Sequence, residues 1–175
     1  MMKPTKPTKA SQPCSLEIDI QRVCETIEAP SDERLKNIIT LALSFEKSLE
    51  KSDKNIPIAL TLRLTDPEEM QTLNREFRGK DKPTNVLSFP FEMPESITLP
   101  EWVLGDIAIC PAIVMSEAIE QKKSYDDHFA HMVIHGILHL LGYDHEQDDE
   151  AVIMEALEIK ILEKMGIHNP YQELD

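Results

Sequence analysis

The sequence is poor in the residues that staple a chain or carry it across a membrane. It has three cysteines in 175 residues, Cys14, Cys24 and Cys110, and none lies close to another. That spacing fits neither a disulfide framework nor a thiolate zinc site. Each cysteine falls in an apolar or strand-like run, which suits a buried free thiol and a reducing compartment. No run approaches the roughly 20 apolar residues of a membrane span. Lys3, Lys6 and Lys9 have no apolar stretch behind them, so a signal peptide is not expected and a cytoplasmic location is. Basic residues are also scarce: 18 Lys and Arg face 32 Asp and Glu, for a formal charge of -14. Residues 1–100 hold 16 acids and 14 bases, whereas residues 101–175 hold 16 acids and only 4 bases. A broad basic face for duplex nucleic acid is therefore not expected. A polyanion would have to meet the first part of the chain, or a metal.

What is present suffices for one domain. The length falls in the usual range of about 100–200 residues, and 41% apolar with 29% charged residues is a globular composition. Residues 1–13 are rich in Pro, Thr and Lys and read as a flexible tail ahead of a single domain over 14–175. Between Ser15 and Val23, Leu16, Ile18 and Ile20 alternate with Glu17, Asp19 and Gln21, the pattern of an amphipathic strand. A helix is predicted from Pro30, with an apolar face running from Leu35 to Leu49. A strand over 56–64 follows. Asp66 as cap, Pro67 at the first turn and Glu69 three residues after the cap then open a helix that ends near Gly79. Strands are predicted over 86–91 and 102–110, the second interrupted at Gly105 and Asp106. Helices are predicted from Pro111 to Glu120, from Tyr125 to Leu141 with Gly142 as the stop, and from Asp148 to Met165. Four strands and about five helices without an internal repeat give an α/β (or α+β) domain.

Five of the six histidines lie between residues 128 and 145. His135 and His139 are four apart on a predicted helix, so both rings leave the same face. Gly142 can end that helix in a left-handed conformation, and the returning chain can bring His145 to the pair. Three imidazoles on one side leave a fourth position open, the arrangement of a catalytic rather than a closed structural zinc site. The H-x3-H-x5-H spacing, with glycine three after the second histidine, matches the metzincin pattern. One zinc per chain is expected. In H-E-x-x-H peptidases a glutamate follows the first ligand and acts as general base, but here Gly136 stands there. His131 shares a helix face with His135 and is a candidate for contact with substrate or support of a ligand. Asp144 is a candidate to orient His145 or to shape the turn.

A second constellation surrounds Gly79, where Arg75, Arg78, Lys80 and Lys82 cluster before the run Thr84-Asn85-Val86-Leu87-Ser88-Phe89-Pro90. Arginine grips phosphate bidentately. Arg78, with Lys80 and Ser88 as neighbours, is the candidate phosphate clamp.

These stretches resemble the YbeY family of bacterial endoribonucleases, the ribosomal RNA maturation factors. Residues 135–145 fit its H-G-x-L-H-L-x-G-Y-D-H signature, residues 78–90 fit its R-G-K-D-x-x-T-N/D-V-L-S-F-P segment, and Leu104-Gly105-Asp106-Ile107 fits its L-G-D-I run. The resemblance covers about residues 14–166. It implies a single domain with a mixed sheet, a zincin-like metal-binding helix, and zinc on His135, His139 and His145. It implies that Arg78 engages the RNA backbone in a catalytic role, with Lys80, Ser88 and His131 as further substrate contacts. The implied activity is cleavage of single-stranded RNA, in maturation of the small-subunit ribosomal RNA 3′ end and in ribosome quality control. The implied partners are ribosomal RNA, the small ribosomal subunit and its assembly factors, with no membrane. Two other readings compete. A zinc metallopeptidase is favoured by the ligand spacing and opposed by Gly136. A non-catalytic ribosome assembly factor would use the zinc structurally.

Overall fold

The computed structural model describes residues 15–23, 28–47, 49 and 56–172. Along them run β1 (Leu16–Arg22), α1 (Asp32–Ser44), β2 (Ile58–Leu64), α2 (Pro67–Arg78), β3 (Val86–Pro90), β4 (Trp102–Ile109), α3 (Pro111–Glu120), α4 (Tyr125–Leu140) and α5 (Asp148–Lys164). The helix starts are local chemistry. Ser31, Asp66 and Ser124 each accept a bond from the backbone N–H three residues on, at Arg34, Glu69 and Asp127. The expected tail over 1–13, Cys14 and Cys24 lie outside the described residues. Cys110 is buried with a free thiol.

The strands form one mixed sheet in the order β1-β2-β4-β3. β1, β2 and β4 are parallel, and β3 closes one edge antiparallel to β4. This is an α/β single domain. Alternate residues Ile58, Leu60, Leu62 and Leu64 of β2 turn to one face and pack with Leu35 and Ile39 of α1 and Phe129, Val133 and Ile137 of α4. On the opposite face α2 sets Met70 against Leu87, Ala108 and Cys110. α4 touches α1, α3, α5, β3 and β4, which is why its sequence is apolar almost all round. A helix so enclosed holds its side chains rigidly, and the histidines are among them.

The expected break at Gly105 does not occur, and β4 runs through it. The register between β2 and β4 instead slips by one residue, from Ala59↔Val103 to Leu60↔Gly105. Gly105 sits at φ +131, and a Cβ there would collide with the Phe89 carbonyl of the neighbouring strand. Glycine thus permits a bulge and a close backbone approach where the sequence pattern suggested a chain break. No helix among the described residues is long and apolar enough to cross a membrane.

Candidate metal centre

α4 presents His135 and His139 on one face, with ring centroids 4.6 Å apart and Nε2 atoms 3.1 Å apart. The chain then reverses by paired backbone bonds. Gly142 N–H donates to His139 O at 3.1 Å and Tyr143 N–H to Leu138 O at 3.0 Å, with Gly142 at φ +94. The Tyr143 hydroxyl donates to Glu46 Oε2 at 3.0 Å, tying the turn to the chain just after α1. Asp144 Oδ1 accepts the His145 N–H at 2.7 Å, so Asp144 shapes the turn. His145 swings back until its ring lies 5.0 Å from His139 and 5.4 Å from His135. One nitrogen from each of the three rings lies within 4.8 Å of the others.

Behind the pair stands Glu158 of α5, fully buried at 0% exposure. Its Oε1 takes a hydrogen bond from His135 Nδ1 at 2.6 Å and its Oε2 one from His131 Nε2 at 3.0 Å. The Tyr171 hydroxyl donates to the same Oε2. Burial alone would push the Glu158 carboxyl up, but the bonds from His131, His135 and Tyr171 outweigh it and hold the group down at about 2. Glu158 is therefore an ionised acceptor, and His135 must offer it Nδ1–H. That fixes the tautomer and leaves His135 Nε2 bare, aimed at His139. Burial, with the His135 and His145 rings beside it, brings His139 down to about 4 and keeps it unprotonated at neutral pH.

This donor set suits a divalent ion of borderline softness. Two nitrogens 3.1 Å apart need something positive between them, a shared proton or a cation. Two ligands about 2.05 Å from a tetrahedral zinc lie about 3.3 Å apart, close to the spacing found. A carboxylate behind a ligating histidine is the usual outer support of such a site.

The other expected residues are placed as follows. Arg78 lies exposed at the end of α2 and donates Nη2 to Ser88 O at 3.0 Å, its guanidinium 5.9 Å from the Phe89 ring centroid. Arg22, Arg63 and Arg75 pair with Asp32, Glu69 and Asp81, whereas no carboxylate among the described residues pairs with Arg78. Ser88 is buried and donates Oγ to Gly136 O at 3.0 Å, which links Arg78 by two bonds to the helix that carries His135 and His139. Lys80 is exposed beyond the α2 cap. His131 is only 7% exposed and turned to Glu158. Gly136 faces the sheet: a Cβ would meet Ile107 at 3.0 Å and Ser88 Oγ at 3.4 Å. A glutamate at this position has no room. Sequence reasoning missed Glu158 and Tyr171. Glu158 could have been found, because it shares the stripe of Met154, Ile161 and Leu162, where a carboxylate has no solvent.

The family model for the endoribonuclease YbeY matches residues 19–166. An endoribonuclease YbeY of Colwellia psychrerythraea is 49% identical over 156 residues, covering 89% of this chain and 97% of that protein. A protein of Thermotoga maritima solved in solution superposes with a TM-score of 0.52 at 31% identity, over 85% of this chain and 87% of its own. With a family match over most of its length and a half-identical relative along nearly all of it, the chain belongs to the YbeY family of endoribonucleases.

Proposed function

We propose that the protein is a single-strand-specific, zinc-dependent endoribonuclease acting in maturation of the small-subunit ribosomal RNA 3′ end and in ribosome quality control. The observation that carries the metal half of this reading is the convergence of His135, His139 and His145 with Glu158 behind His135. Family membership carries the RNA half. The partners are then single-stranded ribosomal RNA, the small subunit and its assembly factors, in the cytoplasm. α4 plays the part of a zincin-like helix, with His135, His139 and His145 holding one zinc. When bound, such an ion supplies Lewis-acid polarisation of a phosphoryl oxygen and a lowered pKa for water.

The chain's own residues have separable tasks. Glu158 orients His135 and stabilises positive charge on the ligand side. Arg78 keeps four guanidinium N–H groups beyond the one given to Ser88, enough for a bidentate grip on phosphate that offsets the charge of a pentacoordinate transition state. Lys80 adds charge along the same strand of substrate. Ser88 and His131 stand behind these contacts, Ser88 on Arg78 and His131 on Glu158. The nucleophile is water or the substrate's own 2′-hydroxyl, and a single 2′-deoxy substitution at the scissile position separates the two. The crowding at Gly136 weighs against the peptidase reading, since the base of that chemistry has no place there.

The test is metal content by elemental analysis paired with cleavage of a labelled single-stranded RNA. One zinc per chain is expected in wild type and in Arg78→Ala. Cleavage should fall by about a hundredfold or more in Arg78→Ala, as for loss of one transition-state donor. Wild-type protein that takes up no zinc when it is supplied would sink the reading. Zinc without cleavage sensitive to Arg78 would turn it towards the assembly-factor alternative.

A further inference from the structure

The family match ends at residue 166, yet the hydrogen-bond set of Glu158 is not complete without a residue beyond it. After α5 the chain turns at Gly166 and runs back across α4. Ile167 N–H donates to Leu162 O at 3.0 Å, and Lys123 Nζ reaches across to hold Pro170 O at 2.8 Å. Tyr171 N–H closes on Asn169 Oδ1 at 2.9 Å. This path delivers the Tyr171 hydroxyl to Glu158 Oε2, 3.4 Å from His131 Nε2, with the tyrosine ring edge-on to His131 at 5.5 Å. The carboxylate has then three donors from two places: His135 and His131 on α4, and Tyr171 on the segment after α5.

We propose that Tyr171 is a positioning residue for the metal centre, acting through Glu158 on His135. The inference rests on the metal reading above. Its physical basis is the burial of Glu158. A carboxylate without solvent keeps one orientation only if its oxygens are fully engaged. Oε1 faces His135, whereas Oε2 is held by His131 and Tyr171 together. With the Tyr171 bond gone, Oε2 has one donor fewer and the carboxylate can rock about its Cγ–Cδ bond, loosening the His135 ring. The segment after α5 is thus an outer part of the ligand set, and Lys123 is the clasp that keeps it there.

The experiment is zinc affinity, measured by competition with a chromophoric chelator on the metal-stripped full chain. Wild type, Tyr171→Phe, Glu158→Gln and the double variant are compared, and folding is checked by circular dichroism. Loss of an outer partner of a metal ligand weakens binding by about 10- to 100-fold, the range expected for Glu158→Gln. Tyr171→Phe, which removes only the hydroxyl, should fall at or below the bottom of that range, at about 3- to 10-fold. Because Tyr171 acts through Glu158, the double variant should bind no more weakly than Glu158→Gln alone. The absorption of cobalt in the same site should shift in Tyr171→Phe, which a merely structural anchor would not cause. Tyr171→Phe with wild-type affinity and an unmoved cobalt spectrum overturns the inference, and so do fully multiplicative effects in the double variant. Wild type that binds no zinc is the distinct failure of the metal reading itself. If Glu158→Gln does not fold, Lys123→Met serves as the second arm. It should weaken zinc in the same direction as Tyr171→Phe, and wild-type affinity there would count against the clasp.

Discussion

Of the three histidines of α4 that meet a carboxylate, His128 and His135 are the outermost and make bonds of nearly the same length. His128 Nε2 meets Glu117 Oε2 at 2.8 Å near the start of the helix, and His135 Nδ1 meets Glu158 Oε1 at 2.6 Å two turns later. What differs is the other nitrogen of each ring. That of His128 is buried and has no partner among the described residues, while that of His135 faces His139. The carboxylates differ too. Glu117 keeps 28% of its side chain exposed and also accepts both Nδ2 bonds of Asn85, each 3.1 Å, so this pair fastens α3, α4 and the start of β3 together. Glu158 has no exposure and is held by His135 of the histidine trio together with His131 and Tyr171. If the trio holds a metal as proposed, the same bond is structural near the start of the helix and functional towards its end, and the free nitrogen decides which.

The contrast is sharpest if the rings themselves are cut. His139→Ala should lose zinc, and with the ion several kcal/mol of charge stabilisation. At about 1.4 kcal/mol per tenfold this lowers RNA cleavage by roughly a thousandfold. His128→Ala should keep one zinc per chain and show its damage in the unfolding midpoint. Elemental analysis and cleavage assays read the difference, and loss of zinc in His128→Ala would break the comparison. The carboxylates come next. Glu117→Gln is expected to cost about 1–3 kcal/mol of stability by unsettling a buried partner. It should leave zinc affinity untouched, in contrast with Glu158→Gln. Chemical denaturation beside chelator competition distinguishes the two, and weakened zinc in Glu117→Gln would mean that both pairs serve the site.

A smaller effect is expected on the helix face turned to the sheet. Gly136→Ala pushes a methyl group against Ile107, and overpacking of this kind costs about 1–3 kcal/mol. Thermal unfolding should register that cost with the zinc stoichiometry unchanged. The smallest concerns pH. Burial lowers the pKa of His128 below 6.5, with Glu117 pulling the other way. Below about pH 6.5 the unfolded chain then binds a proton that the folded chain refuses, so this ring favours unfolding as the pH drops. Above that value the effect vanishes. Urea unfolding of the zinc-loaded protein at about pH 7 and 5.5 should show a gentler acid loss in His128→Gln than in wild type. Equal slopes would contradict a ring buried in its neutral form.

The convergence of the three histidines was legible because everything that assembles it is local. His135, His139, Gly142 and His145 span eleven residues, and helix geometry with one turn does the rest. The caps at Asp66 and Ser124 are local as well, and the elements they open begin within a residue or two of where the pattern puts them. Glu158 and Tyr171 are different. The first lies 23 residues from His135, and the second meets Glu158 only because the chain folds back after Gly166. A sequence pattern marks Glu158 as an acid on a buried stripe but does not say which histidines it faces. His131 illustrates the same limit. Its helix face was legible, but its seclusion against Glu158 depends on α5 packing over it. Gly105 was conspicuous for the wrong reason: the residue that looked like a strand breaker is the one that lets β4 pass close to β3.

β3 is an edge of the sheet, and edges recruit foreign strands. Cys110 N–H bonds to Asn85 O and Phe91 N–H to Leu104 O, so by the antiparallel alternation Val86, Ser88 and Pro90 turn their backbone polar groups outward. Half of those positions are closed to a new strand. The Val86 N–H donates to the Asn85 side chain at 2.6 Å, the Ser88 carbonyl accepts from Arg78, and Pro90 has no N–H to give. The arginine proposed to grip RNA therefore also helps to guard the rim of the sheet against pairing with another strand. A variant lacking it should have a stickier border besides any loss of cleavage, and lowered solubility at high concentration would show it.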